Sequence, residues 1–454
     1  MVALVSAATA CGTARIQVLS TDDGGSAPPT DAAEEAISEG GAGPTGYCGE
    51  GGPALLTSTA ASGAPACAGV IAESSFRFAL CTCGDLAWTH PLTTDAFDGS
   101  QGPYSMATAR AGGAVGTNGD LLAGGPLGIG GSLWVGGVMR GFDASSNATI
   151  AGELHAAGLA NLTGPGLTVG TDAWAAGGLV AMGNVLIPGT LFLPVGAPLS
   201  VGGTMTIGAT VTEPVKVPLP CDCAAGSTVD VGGFVETYRA HNDDALAGLD
   251  PLLLENVQAP LSLALPCGRL FFTRVGAHAP VHLTVGGRTA IFVGGDFQAD
   301  ADFLLDVPPG GDLDVFIEGN VAVTQGFGIG SPDNPARARV YIGGNGDIDI
   351  ASATSVTANL YAPLAQLVLG AASTTFFGSV FVRQLGVGNG ALTIHFDESV
   401  TLEGAACQPT TSCASCRDCN NQACSSGACT RCSDSSECCT PLVCRSGTCV
   451  LDVR

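Results

Sequence analysis

Two short cysteine pairs carry the sharpest chemical signal in this sequence. Cys81-Thr82-Cys83 and Cys221-Asp222-Cys223 are matched C-x-C elements. In an extended strand residues i and i+2 point to one face, so each element presents both sulfurs together. Two such strands side by side would join as a double disulfide staple. The same geometry would suit a thiolate metal site, with His90 as an extra ligand. The whole cysteine load weighs between them. The chain holds 19 cysteines, a number that a reducing cytosol rarely carries outside metal sites. Cys11 stands alone. The body has Cys48, Cys67, Cys81, Cys83, Cys221, Cys223, Cys267 and Cys407. The tail has Cys413, Cys416, Cys419, Cys424, Cys429, Cys432, Cys438, Cys439, Cys444 and Cys449. With Cys11 set aside both groups are even, as full pairing requires. The expectation is an oxidising compartment, with the C-x-C elements bridged to each other and Cys267–Cys407 and Cys48–Cys67 as the remaining body pairs.

Carboxylates are the second source of chemistry. Asp296, Asp300, Asp302, Asp306, Asp312, Asp314, Glu318, Asp347 and Asp349 cluster late in the body. Asp312 and Asp314 share a strand face, as do Asp347 and Asp349, with Leu313, Val315, Ile348 and Ile350 turned inward. These four are calcium candidates, because stacked carboxylates suit a hard cation. GGNGDIDI lies near a calcium-binding repeat pattern, but Ile348 replaces the liganding Asp and the motif occurs once. The competing reading is a solvated outer face. Asp243-Asp244, with His241 and Arg239 close by, form the most enzyme-like local cluster, although N-D-D is also an ordinary helix N-cap. His278 and His282 stand at i, i+4 without a third ligand. No nucleophile elbow, phosphate loop or H-E-x-x-H zinc motif occurs, so no catalytic residue and no cofactor is assigned beyond that candidate calcium.

Composition narrows the function classes. The net charge is −24, and Lys216 is the one lysine. Binding along a phosphate backbone needs clustered Lys and Arg, which argues against nucleic acid as a partner. No apolar run reaches the ~18 residues of a membrane-spanning helix.

The elements that must position these residues are written in glycine. Of 454 residues 67 are glycine. The cleanest series is Gly152, Gly158, Gly164, Gly170, Gly177, Gly183, Gly189, Gly196, Gly202 and Gly208, at steps of six or seven. Between them lie short alternating runs such as TLFLP and TMTI, which bury one face and expose the other. Strands joined by tight corners at a six-residue step predict an all-β, right-handed parallel β-helix, three faces to a turn. Glycine would serve the corners by accepting positive φ. The pattern breaks at about 209–266, where a short helical insertion is expected with Phe234, Tyr238 and Leu246 as anchors. Residues 1–11 read as a lipoprotein-type signal with its anchor cysteine, 12–66 as an acidic flexible linker, and 67–406 as the β-helix body. Residues 407–454 read as a small disulfide-rich module, since bridges must replace a core where cysteine is so dense.

Three resemblances follow from these residues. MVALVSAATA before Cys11-Gly12 resembles a bacterial lipoprotein signal, which implies lipidation of Cys11 and an outer-membrane location. The hexad region resembles bactofilin-type β-helices. The layout of lipoprotein-like start, FALCTCGDL, PCDC, LPCG and cysteine-rich tail resembles myxobacterial exported lipoproteins. The expected function is that of a non-enzymatic cell-surface lipoprotein, anchored in the outer membrane, with a structural, adhesive or surface-polymer-binding role. Its partner would be a polysaccharide or another surface protein. The alternatives are a secreted polysaccharide lyase or hydrolase and a self-assembling envelope scaffold.

Overall fold

From Val115 onward three-residue strands recur about every six residues: Val115–Thr117, Leu121–Ala123, Leu127–Ile129, Leu133–Val135 and Met139–Gly141. In most of them the first and third residues are buried and the middle one faces out, as alternation demands. Each pairs in parallel with the strand three positions further on, Val115 with Leu133 and Leu121 with Met139. Three strands therefore close one turn. In this computed structural model the result is a parallel β-helix of about 13 turns. The described residues are 47–48, 55–58, 65–141, 146–224, 226–351, 355–386, 388 and 390–407, together with short stretches between 423 and 451.

The corner glycines have a different cause from the one expected. Of the series above, Gly196 alone has positive φ. All the others but Gly164 sit where turns stack too closely for a side chain at the corner. A Cβ on Gly158 would lie 2.5 Å from the Gly137 carbonyl oxygen of the preceding turn.

Order along the axis does not follow order along the chain. The first body strands, Leu80–Thr82 and Leu92–Phe97, lie in the middle of the stack. Leu80 pairs with Val115 on one side and with Val380 on the other. From there residues 115–212 wind outward to one end. The chain then returns along the outside to the opposite end, and residues 261–397 wind back until Ala391–Asp397 meets Leu92–Phe97.

The stretch expected as a local insertion is this return connector. It leaves the helix after Thr212 and rejoins it at Leu261. Helix α1 (Ala68–Ser75) precedes the first body strands. The connector contributes α2 (Val231–Ala240) and α3 (Asp244–Ala247). Phe234 and Tyr238 are buried anchors, but Leu246 is 63% exposed. Near the far end Leu249, Leu254 and Val257 close the core, with Val257 paired to Ala277.

Disulfides fix this path. Cys81 bridges Cys221 and Cys83 bridges Cys223, so the matched C-x-C elements staple the connector to the middle of the body. Cys48 bridges Cys267. That overturns the expected Cys48–Cys67 and Cys267–Cys407 pairs, because the return connector places strand Leu261–Phe272 at the end of the stack beside residue 48. Cys67 is also disulfide-bonded. In the tail, hairpins Ala423–Ser425/Ala428–Thr430 and Leu442–Arg445/Thr448–Leu451 are described, with a Cys432–Cys444 bridge. Cys11, Cys413, Cys416, Cys419, Cys438 and Cys439 lie outside the described residues.

Candidate binding ridge and the carboxylate clusters

On one face of the helix the outward residue of each turn is stacked on its equivalent in the next. Register sets Phe271, Phe292, Phe316, Tyr341, Tyr361 and Phe381 in a single column. The column continues through Cys81 and Gly116 to Trp134, His155, Trp174 and Phe192. Strand spacing of about 4.8 Å matches ring stacking, so aromatic residues at this position interlock.

The two halves of the column differ in what covers them. In the first half α2 lies on it: Phe234 stacks on Phe316 at 4.9 Å and Tyr238 on Phe292 at 4.3 Å. Phe76, at the end of α1, packs against Tyr341 at 5.8 Å. At the middle the Cys81–Cys221 bridge occupies the column, and Pro220 sits where a Cβ on Gly116 would go. Beyond that point no helix follows. Trp134, Trp174 and Phe192 are partly exposed, with His155 buried between the two indoles.

Ring centroids run 3.5 Å from Trp134 to His155, 4.4 Å to Trp174 and 5.0 Å to Phe192, all nearly parallel. Each face is covered by its neighbour, so the ring edges form the exposed ridge. Neither the Trp134 nor the Trp174 indole N–H donates to a described residue. Burial pulls the His155 pKa down, while the Glu153 carboxylate, 2.9 Å from Nε2, pulls it up; the net shift is downward, so the ring is neutral at pH 7. Sequence reasoning passed over this ridge. Its signal is the recurrence of aromatic or imidazole side chains at 134, 155, 174 and 192, one per turn.

The enzyme-like cluster does not converge on a site. Asp243 is held by Arg269, with Nε to Oδ2 and Nη2 to Oδ1 both at 2.9 Å. Burial raises its pKa, but these hydrogen bonds outweigh that and the carboxyl sits below its usual range. Asp244 accepts the Phe271 N–H through Oδ1, and its Oδ2 is buried without a partner. Burial, helped by the Asp243 charge, lifts its pKa to about 6. His241 turns back to the Thr237 carbonyl, and Arg239 pairs with Glu236 and Glu318. The N-D-D sequence thus ties the connector to strand Leu261–Phe272.

The calcium candidates are dispersed as well. Asp312 and Asp314 both bind Arg339, Oδ1 to Nη2 and Oδ1 to Nε at 2.7 Å. Arg339 is 2% exposed, and Glu403 lies 3.6 Å from its Nη1. The pair faces the buried Arg339 guanidinium instead of solvent. Asp347 and Asp349 lie on a different face, where Asp347 pairs with Gln366. Among the described residues no group of three or more His, Cys, Asp or Glu has metal-holding geometry. Asp296 and Asp302 do corner work: their Oδ1 atoms accept the N–H of Asn320 and Gly326 from the next turn. At a corner the strand ladder lapses, and a carboxylate satisfies the backbone donor left over. His278 and His282 pair with Asp300 and Asp306 on the surface.

A family model, described as a domain of unknown function (DUF7305), matches residues 261–403. No curated protein and no solved structure matches the chain. The matched stretch runs from the first strand after the connector to the segment just past the central junction, so it is the second-made half of the helix. The exposed ridge belongs to the other half. No helix among the described residues is long and apolar enough to cross a membrane.

Proposed function

We propose that this protein is an exported, non-catalytic surface scaffold that docks an extended, uncharged surface polymer along the Trp134–His155–Trp174–Phe192 ridge. The observation that carries the reading is the ridge itself. It is a strip of stacked, partly exposed rings with one rung per turn, including two indoles whose N–H groups donate to no described residue. A polysaccharide offers matching chemistry, C–H surfaces with hydroxyl acceptors at the edges. A net charge of −24 disfavours a polyanion. The engagement of Asp243, Asp244, Asp312 and Asp314 in structural contacts favours this reading over a lyase or hydrolase.

Export is supported by the bridges at Cys48, Cys81, Cys83 and Cys432, which fit an oxidising compartment. In this reading Cys11 carries the lipid, residues 12–66 are the tether, and the outer membrane is the anchor.

The test is co-sedimentation of the oxidised chain with a panel of insoluble neutral polysaccharides. Trp134→Ala and Trp174→Ala should each weaken retention at least tenfold without changing the melting temperature by more than a few degrees. Retention unchanged in both variants, or cleavage of any polymer in the panel, would reject the proposal.

A further inference from the structure

The two ends of the β-helix are finished differently. At one end Leu249, Leu254 and Val257 lie over the last turn, and its inward residues Leu263 and Leu265 are 2% and 1% exposed. At the other end the last described turn is left exposed. Among the described residues strand Met205–Thr212 pairs on one side only, with Asn184–Leu193. Its inward position Met205 is 50% exposed, and Leu199 on the neighbouring face of the same turn is 37% exposed. Register with Val185 and Leu179 shows that these two would be core residues if another turn followed. Each backbone N–H and C=O on the free edge is an open pairing position.

The charge pattern marks the same end. Residues 173–212 contain no Asp, Glu, Lys, Arg or His, in a chain with 40 acidic residues. Exposed edges are ordinarily blunted with charge or proline to stop association. Here neither is present on Met205–Thr212. A strongly acidic molecule can approach its own copy only where that charge is missing.

We infer that this open end is an interface with a second copy of the chain, closed by a two-fold axis. Head-to-tail stacking is ruled out by the covered opposite end, so filaments are not formed. Two open ends facing each other about a two-fold axis bring the Met205–Thr212 strands together antiparallel. That arrangement satisfies both edges and continues the core through the joint. The cross-section of one turn is small, so the dimer is concentration-dependent.

The test uses the full oxidised chain with Cys11→Ser, which removes any acyl group. Sedimentation velocity over a hundredfold concentration range is combined with hydrogen exchange at Met205–Thr212. The expected result is a monomer–dimer equilibrium, with protection of that strand rising as dimer forms. A Met205→Lys/Thr210→Lys variant places like charges across the joint at positions already exposed in the monomer. It should be monomeric throughout, with an unchanged circular dichroism spectrum and melting temperature. Three results would overturn the inference: a wild-type monomer with a freely exchanging edge, a monomer whose edge is protected at every concentration and so is covered by its own chain, or open-ended polymers. Polysaccharide binding is read separately, so the dimer and the ridge stand or fall independently.

Discussion

The hydroxyls of Thr93 and Thr393 share a hydrogen bond of 3.1 Å although they stand 300 positions apart in the sequence. They mark the junction where the two halves of the β-helix meet. Around them His395 Nδ1 pairs with Asp95 Oδ1 at 2.7 Å, and Asp397 Oδ1 accepts the Gly99 N–H at 2.7 Å. Tyr104 donates to Asp95 at 2.8 Å and stacks on the His395 ring, while Arg110 pairs with Glu398. The junction carries more polar side-chain contacts between turns than a regular strand ladder needs.

The double staple should be redundant bridge by bridge. Cys81–Cys221 and Cys83–Cys223 close nearly the same loop, each with a separation of 140 residues. Once one is formed, the other adds little loop-closure entropy. Cys223→Ser with Cys83→Ser should cost about 1 kcal/mol. Removal of all four cysteines should cost about 3–5 kcal/mol. Guanidinium unfolding of the two variants checks the difference.

Asp244 makes the fold less stable as pH rises, and its replacement by Asn should relieve that loss. Its folded pKa of about 6 lies above the ordinary value of 3.8. The folded state therefore binds the extra proton between those values. The stabilisation is complete below about pH 4 and is lost as pH rises through about 6. Asp244→Asn keeps the acceptor for Phe271 and removes the buried charge. At pH 8 it should be more stable than the parent by about 1–2 kcal/mol, and at pH 4 the two should melt together.

Arg339 should be among the least replaceable charged residues. Arg339→Met leaves Asp312 and Asp314 beside each other without a counter-charge, at a cost of about 3–5 kcal/mol. Arg339→Met with Asp312→Asn and Asp314→Asn should recover more than half of that. Thermal melts at pH 7 read both.

The ridge should respond to acid. The pKa of His155 is lowered by burial, so its contribution to stability is present above the unfolded value of about 6.5 and is lost as pH falls through the folded value. Tryptophan emission should shift as pH is lowered into the acid range below the ordinary imidazole value. His155→Phe, which keeps the stack, should remove that transition.

Mass spectrometry tests the exported, lipidated form. The membrane-extracted chain should begin at Cys11 with added acyl mass and take up no alkylating agent until reduction. An unacylated chain with free thiols would contradict the proposed location.

The hexad β-helix was legible because six-residue glycine spacing and two-residue alternation are local properties. The staple was legible for the same reason, since two C-x-C elements match in spacing. Phe234 and Tyr238 stand four apart on one helical face and could be read as anchors; Leu246 belongs to α3, whose outer side faces solvent. The stacking order was not legible. Any turn offers its neighbour the same parallel ladder, so periodicity says that turns stack and not which turn lies on which. The ridge was hidden because corner lengths vary. Trp134, His155, Trp174 and Phe192 are 21, 19 and 18 residues apart, which no fixed period picks out. The roles of Asp243 and Asp312 depend on Arg269 and Arg339, each more than 20 residues away in the sequence.

The central position of Leu80–Thr82 and Leu92–Phe97 bears on how the molecule is made. Synthesis runs from the N-terminus, so the first turn to emerge is a middle turn. One of its edges gains a partner when residue 115 arrives. The other stays bare until residues 380–397 have been made, with nearly the whole body already behind it. A nascent chain can propagate the 115–212 half turn by turn, but it cannot seal the stack until the end. The final docking joins the most distant parts of the sequence and is the step expected to be slow.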